Sequence, residues 1–161
     1  MKMLYILRHA KATGNDAEYA DIDRPLKPSG IQDAYILGNE LEHRKLQVDY
    51  IAVSTATRAM QTASIVTRAA ELSCENLRVI PDLYLSSYSE TLAYIRQLPD
   101  DVVSAMLVGH NPELSYLCEK LLNENHLELP TCGFMAFSIS ADRWSEVNST
   151  NTKKEYHIFP K

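Results

Sequence analysis

Two apolar runs in the sequence end directly on side chains that can bind and transfer a phosphoryl group. The run LYIL is followed by Arg8 and His9, and the run AMLV is followed, after one glycine, by His110. A third run, YIAV, ends at Ser54, with Arg58 one helical turn later. Arginine binds phosphate oxygens in a bidentate manner and stays charged. A neutral imidazole can attack phosphorus, and a second, cationic histidine can donate a hydrogen bond to the charge that develops there.

The order of apolar runs and helical periods along the chain predicts how these side chains are positioned. We expect strands at residues 3–7, 50–53, 77–80, 102–108, 134–139 and 155–159, the last at a sheet edge because Pro160 follows it. Helices are expected at residues 28–44, 56–72, 90–98 and 111–123. Strands that alternate with helices predict an α/β fold, a three-layer α/β/α sandwich with a mostly parallel central sheet.

In such sheets, ligands bind beyond the carboxyl ends of the strands. If the strands that precede His9, Ser54 and His110 are parallel neighbours, their polar ends meet at one rim. The helices that follow two of these strands would direct backbone N–H groups toward an anion there. The long polar connection at residues 10–27 also begins at this rim, and loops of that length are commonly functional.

Four motifs occur in this order: LRHA, DRPLKPSG, STATRAMQTA and LVGHNPEL. Together they resemble the histidine phosphatase superfamily, which has the phosphoglycerate mutase-like fold, and in particular its SixA-type branch of phosphohistidine phosphatases. The resemblance implies that His9 is the nucleophile, that Arg8 and Arg58 bind phosphate, and that His110 completes the pocket. It also implies that no metal and no cofactor take part.

The sequence departs from the family pattern in several places. Ala10 replaces the glycine of the common RHG motif, and a proline that often follows the residue corresponding to Ser54 is absent. The segment LYLSSYSE lacks a clear general acid, since Glu90 is expected at a helix start; this favours a labile P–N substrate over a phosphoester. Asp21 matches an aspartate of the branch and is a candidate substitute acid or orienting group in substrate binding. Arg24 either anchors that loop or widens the positive field.

Other interpretations of the same residues stay open. Ser54 either contacts phosphate or caps the following helix. Asn111 is expected to be an N-cap with Pro112 at the first helical position. His9, His110 and a loop aspartate could instead hold zinc or iron, but two arginines in the same pocket would repel a cation.

Length and composition limit the class of protein. The 161 residues fit one domain over 1–161. A net charge of −5 and a sequence pI of about 5.5 argue against nucleic acid and anionic membranes as partners. The sequence shows no signal-peptide pattern and no apolar run of the roughly 20 residues that span a bilayer. The three scattered cysteines predict reduced thiols in a cytoplasmic protein.

The sequence thus predicts a phosphatase that works through a phosphohistidine intermediate on His9 and acts on phosphohistidine in a protein. The partner is then a phosphorylated protein, for example a phosphorelay protein, or a small phosphorylated substrate. Two alternatives stay open: a general phosphatase for small phosphoesters or phosphoanhydrides, and a non-catalytic phosphate- or phosphoprotein-binding module. Activity is expected to fall as His9 is protonated below its ordinary pKa of about 6.5.

Overall fold

A computed structural model describes residues 1–14 and 18–161 of the chain. Six strands form one sheet: β1 (Lys2–Arg8), β2 (Tyr50–Val53), β3 (Leu77–Val79), β4 (Ser104–Gly109), β5 (Phe134–Ile139) and β6 (Thr152–Ile158). Four helices pack on it: α1 (Pro28–His43), α2 (Thr57–Ala69), α3 (Tyr88–Arg96) and α4 (Glu113–Leu122). Within the described ranges, no helix has the length and apolarity needed to cross a membrane.

The sheet order is β3-β2-β4-β1-β5-β6. The first four strands in this order are parallel, whereas β5 and β6 are antiparallel to their neighbours. The predicted three-layer sandwich with a mostly parallel sheet is therefore confirmed. Because β4 lies between β2 and β1, the three strands that precede the candidate residues are direct neighbours.

Both faces of the sheet are covered, which explains why the central strands are continuous apolar runs. One core contains Leu7, Val53 and Val108 together with residues of α1 and α2. The other contains Leu4, Ile6 and residues of α3 and α4. The central strands are thus fixed from both sides, and their carboxyl ends form a rigid edge.

Several predicted boundaries differ from the structure by two or three residues, and two of them have a clear physical reason. β6 begins at Thr152 instead of residue 155, because the exposed side chains of Lys153 and Lys154 lack the apolar pattern of a strand. Helix α3 begins at Tyr88 instead of residue 90, because the Ser87 hydroxyl accepts the Glu90 N–H at 3.1 Å and caps it. The edge position of β6 was predicted correctly.

The sequence predicted that Asn111 is the N-cap of α4, and this prediction was wrong. The helix begins at Glu113, and Pro112 occupies the N-cap position. The Asn111 side-chain oxygen instead accepts the Ser115 N–H at 3.1 Å, while its amide group donates to the Leu129 carbonyl at 2.9 Å. Asn111 therefore links the start of α4 to the segment before β5.

Candidate active site

His9 lies at the carboxyl end of β1 and is 9% exposed. Its N–H donates to the Gly109 carbonyl and its own carbonyl accepts the Cys132 N–H, each at 3.0 Å. Nδ1 of the ring lies 2.7 Å from the Ala10 carbonyl oxygen. Since a carbonyl oxygen only accepts, Nδ1 carries the ring proton and Nε2 keeps its lone pair. His9 is therefore held in the tautomer that a nucleophile requires.

Thr62, which the sequence analysis missed, fixes the peptide that orients His9. The Ala10 N–H donates to the Thr62 hydroxyl at 3.0 Å, and that hydroxyl donates to the Arg58 carbonyl at 2.7 Å. Thr62 is fully buried and lies one helical turn after Arg58. This four-residue spacing from Arg58 is the feature of the sequence that could have indicated a role for Thr62 near the site.

Thr62→Val is expected to lower the free energy of unfolding by about 1–3 kcal/mol, because the Ala10 N–H would stay buried without an acceptor. Thr67→Val is the matched control. Thr67 is equally buried on α2, and its hydroxyl has no hydrogen-bond partner among the described residues. Urea unfolding of both variants measures the difference. Equal losses in the two variants would show that the bond to Ala10 contributes nothing.

His110 lies beside His9, with the ring centroids 5.2 Å apart. Its Nε2 is 2.8 Å from the Ser54 hydroxyl oxygen, which also accepts the Ala56 N–H at 3.3 Å. The Ser54 hydroxyl can donate to Nε2 or accept from it, so this contact fixes the orientation of the ring and allows a tautomer with the proton on Nδ1. Nδ1 is buried and has no partner among the described residues.

Ser54 is not the N-cap of α2, as one of its two predicted roles required. The N-cap is Ala56, and the Ser54 side chain is fully buried with its hydroxyl bonded to His110. Ser54 therefore orients His110, and its contact with phosphate stays a prediction. This role depends on a contact between two strand ends far apart in the sequence.

Arg58 lies in the first turn of α2 and is 6% exposed. Its two terminal nitrogens donate to Asp21, one to the carbonyl at 2.7 Å and the other to a carboxylate oxygen at 3.3 Å. Its Nε is buried and has no partner among the described residues. Asp21 thus holds the two terminal nitrogens of the guanidinium while the Nε N–H stays unpaired within the described residues.

Arg8 shows the same arrangement. One terminal nitrogen donates to the Leu129 carbonyl at 3.0 Å, while Nε is buried and unpaired within the described part of the chain. Arg8, His9, Arg58 and His110 line one cavity of about 340 Å³. Buried N–H groups without acceptors are rare and costly. The two unpaired arginine donors, in residues that share this cavity with His9, therefore favour a ligand that supplies oxygens, such as a phosphoryl group.

Asp21 is ionised, which decides between its two predicted roles. It accepts the Tyr84 hydroxyl at 2.6 Å and pairs with Arg24 at 2.9 Å and with Arg58. The hydrogen bond from Tyr84, followed by those from the arginines, lowers the pKa of Asp21 to about 2. Such a carboxylate has no proton to donate at neutral pH and would repel phosphate. Asp21 therefore orients the two arginines, which is one of its two predicted roles, and its ionised state does not suit the other, that of an acid.

Arg24 and Tyr84 hold Asp21 in place. Arg24 bonds Asp21 and the Thr13 carbonyl, and it also lines the cavity, so both of its predicted roles are present. The ring of Tyr84 packs edge-on against His110 at 5.7 Å. Tyr84 lies in the segment LYLSSYSE, and no pattern in the sequence indicates that it is a partner of Asp21.

Several residues lie away from the site, as predicted. Glu90 is exposed at the start of α3, and the other three histidines are exposed: His43, His126 and His157. Burial raises the pKa of the Cys118 thiol to about 12, in keeping with an inert core residue. Within residues 1–14 and 18–161, no group of three or more histidine, cysteine or acidic side chains is placed to hold a metal ion.

Burial lowers the pKa of both site histidines. The pKa of His9 is lowered to about 3, chiefly by loss of solvent and further by the charges around it. The pKa of His110 is lowered to about 4, mainly by burial and then by the charge of Arg58. Both rings are neutral at neutral pH, so His110 donates as a neutral imidazole and not as the expected cation.

These pKa values move the predicted loss of activity to lower pH. We expect the enzyme to retain most of its kcat/KM at about pH 5, where a histidine of ordinary pKa is largely protonated. A rate profile over the acid range, corrected for the ionisation of the substrate, measures this. If kcat/KM instead falls with a midpoint near pH 6.5, and the ionisation of the substrate does not account for it, the buried, neutral His9 would be contradicted.

The same shifts set the direction of a change in stability. Because the folded-state pKa values of His9 and His110 lie below the unfolded value, the unfolded chain binds more protons between about pH 3 and 6.5. The contribution of the two neutral histidines to the free energy of unfolding is therefore fully present above this pH range and is lost as the pH falls through it.

A cavity at the ends of parallel strands, lined by paired histidines and arginines, is typical of proteins that bind and transfer phosphoryl groups. The model of the histidine phosphatase superfamily (branch 1) matches residues 4–97, more than half of the chain. The chain therefore belongs to the histidine phosphatase superfamily.

Within the superfamily the chain belongs to the SixA type. Phosphohistidine phosphatase SixA of Escherichia coli (strain K12) is 28% identical over 120 residues, which cover 73% of each chain. A crystal structure from Agrobacterium tumefaciens, provisionally named phosphohistidine phosphatase SixA, has a TM-score of 0.85 at 27% identity and covers 99% of this chain and 98% of that one. An uncharacterized protein of Mycobacterium tuberculosis (strain ATCC 25618 / H37Rv) is 31% identical over 88% of this chain and 91% of its own.

Proposed function

We propose that this protein is a phosphatase that removes the phosphoryl group from phosphohistidine in proteins, through a covalent intermediate on His9. One observation carries the proposal: His9, with its ring proton held on Nδ1, shares one cavity with Arg8, Arg58 and His110, each of which has a buried side-chain nitrogen without a partner among the described residues. The similarity to the SixA protein of Escherichia coli supports the choice of substrate.

In the first step, Nε2 of His9 attacks phosphorus in line, a P–N bond forms, and the bond to the leaving group breaks. The N–H groups of Arg8, Arg58 and His110 bind the equatorial oxygens and stabilise the charge that they carry in the transition state. In the second step, water attacks the phosphorus of phospho-His9 and the P–N bond breaks. Inorganic phosphate leaves, and Nε2 regains its lone pair.

The state of Asp21 supports a reactive substrate. An alkoxide needs a proton in order to leave, but Asp21 is ionised and held by arginines, and Glu90 is exposed away from the cavity. An imidazole leaves phosphorus more readily because the P–N bond is already labile. The site therefore suits phosphohistidine better than a sugar phosphate.

We propose a phosphorylated protein as the partner, a phosphorelay protein being one such case, because the cavity opens at the surface where it can admit a side chain of another protein. We also propose that the chain acts in the cytoplasm and that residues 1–161 form one domain. Neither nucleic acid nor a membrane surface suits the net charge of −5 as a partner.

A substrate panel tests the proposal. It contains a histidine-phosphorylated protein, p-nitrophenyl phosphate and nucleoside phosphates, each assayed with the wild type and with His9→Ala. We expect kcat/KM for phosphohistidine to exceed that for the phosphoesters by about 100-fold or more, since that leaving group needs no acid. Similar values for all substrates would indicate a general phosphatase. Phosphate binding without turnover in the wild type would indicate a binding module.

A further inference from the structure

Two lysines lie side by side at the mouth of the phosphate cavity. Lys11 and Lys27 both line the cavity, and both side chains are exposed. The Lys27 N–H donates to the Lys11 carbonyl at 2.9 Å, next to a β-bridge between Ala12 and Leu26. The chain before and after the long loop is thus paired, which fixes the two lysines at one rim.

The charges of the cavity divide into an inner and an outer set. Arg8, Arg24 and Arg58, together with the one carboxylate of Asp21 that pairs with Arg24 and Arg58, carry a net charge of +2, which matches the two negative charges of a phosphoryl group. Lys11 and Lys27 form no ion pair with any carboxylate that the structure describes.

In a chain with a net charge of −5, these two lysines, which form no ion pair within the described residues, line the cavity that the substrate would enter. They exceed what the phosphoryl group alone requires, so the rest of the substrate is expected to carry negative charge.

We propose that Lys11 and Lys27 bind acidic side chains that flank the phosphohistidine of a protein substrate. This inference rests on the proposed function and deepens it, since it assigns the enzyme to phosphoproteins with carboxylates near the modified histidine.

The shape of the surface favours a polypeptide. The cavity shares Arg8 and Asn111 with a second cavity of about 520 Å³, which continues past the half-exposed ring of Tyr116. A chain that extends from both sides of the phosphohistidine can contact the lysines at one end of this surface and the second cavity at the other.

Because both lysines are exposed, their attraction to a partner is screened by salt and acts mainly on the rate of association. The preference for acidic partners is therefore expected in kcat/KM at low ionic strength, and it is expected to weaken as salt is added. A preference that comes from shape alone would not depend on salt.

Two synthetic phosphohistidine peptides of equal length test this inference, one with glutamates and one with lysines beside the phosphohistidine. We expect the wild type to prefer the acidic peptide by about tenfold or more in kcat/KM at low salt, and we expect Lys11→Glu/Lys27→Glu to lose that preference. Lys153→Glu/Lys154→Glu, two exposed lysines of β6, is the matched control and keeps the preference. Equal use of both peptides by the wild type, or an unchanged preference in Lys11→Glu/Lys27→Glu, would overturn the inference.

Binding to a His9→Ala background separates this inference from the proposed function. Fluorescence anisotropy with the same labelled peptides reports the lysines without turnover. If the wild type hydrolyses neither peptide while the His9→Ala protein still prefers the acidic one by about tenfold, the proposed function fails and the lysine surface stands. If turnover is normal and the His9→Ala protein binds both peptides equally, the lysine surface fails and the proposed function stands.

Discussion

His9→Ala is expected to lower kcat/KM for a histidine-phosphorylated protein by about 10⁴-fold or more, because it removes the atom that forms the covalent intermediate. Among the described residues, the buried ring of His9 is hydrogen-bonded only through Nδ1 to the Ala10 carbonyl, so its loss opens a small space without leaving a charge unpaired. We therefore expect the variant to fold, with a thermal midpoint close to that of the wild type.

Trapping the intermediate provides the direct measurement. Wild-type protein incubated with labelled phosphoramidate and quenched quickly should carry label that is stable in base and labile in acid. His9→Ala should carry none, whereas His43→Ala, which changes an exposed histidine on α1, should be labelled like the wild type. Full labelling of the His9→Ala protein would place the nucleophile elsewhere.

The polar rim was predictable because its signals are local. A strand buried on both faces must be apolar throughout, so the change at Arg8 and His9 marks the point where β1 leaves the core. The ends of β2 and β4 show the same change, and the order of strands and helices indicated parallel neighbours. These changes from apolar to polar residues occur within consecutive residues, so they could be predicted without knowledge of contacts between distant parts of the chain.

The partners of the site residues were not predictable in the same way. Tyr84 donates to Asp21 across 63 residues of sequence, and Ser54 reaches His110 across 56. Such contacts arise only when the sheet brings the strand ends together. They show Asp21 as a support for Arg58 and Ser54 as a support for His110.

The charge of the two site histidines was also not predictable from the sequence, because it depends on burial. The type of residue gives an ordinary pKa, but the pKa values of His9 and His110 are lowered by the desolvation that comes with tertiary packing. The sequence indicated which histidines were important and could not indicate their charge. The neutral state follows from the fold, and it is the state that leaves Nε2 of His9 ready to attack.

Arg58 contributes to the site through its carbonyl, its terminal nitrogens and its Nε. Its carbonyl accepts the Thr62 hydroxyl that supports the Ala10 peptide, its terminal nitrogens hold Asp21, and its Nε faces no acceptor among the described residues. The backbone interaction survives a change of side chain, whereas the other two depend on the guanidinium.

Arg58→Ala is expected to lower kcat/KM by about 10²–10³-fold, because it removes one preorganised donor to the transition state. Arg58→Lys retains the charge but not the forked guanidinium, so it should recover only part of the loss. Arg68→Ala, an exposed arginine near the end of the same helix, is the matched control and should keep full activity. Steady-state kinetics with a histidine-phosphorylated protein measure all three variants.

A thermal melt separates chemistry from folding in these variants. Without Arg58, the Asp21 carboxylate keeps Tyr84 and Arg24 as partners, so the loop stays attached and we expect only a small fall in the melting temperature. A large loss of activity with little loss of stability then assigns Arg58 to the transition state. If Arg58→Ala retains activity within about threefold of the wild type, its unpaired Nε does not bind the phosphoryl group, since one lost donor should cost far more.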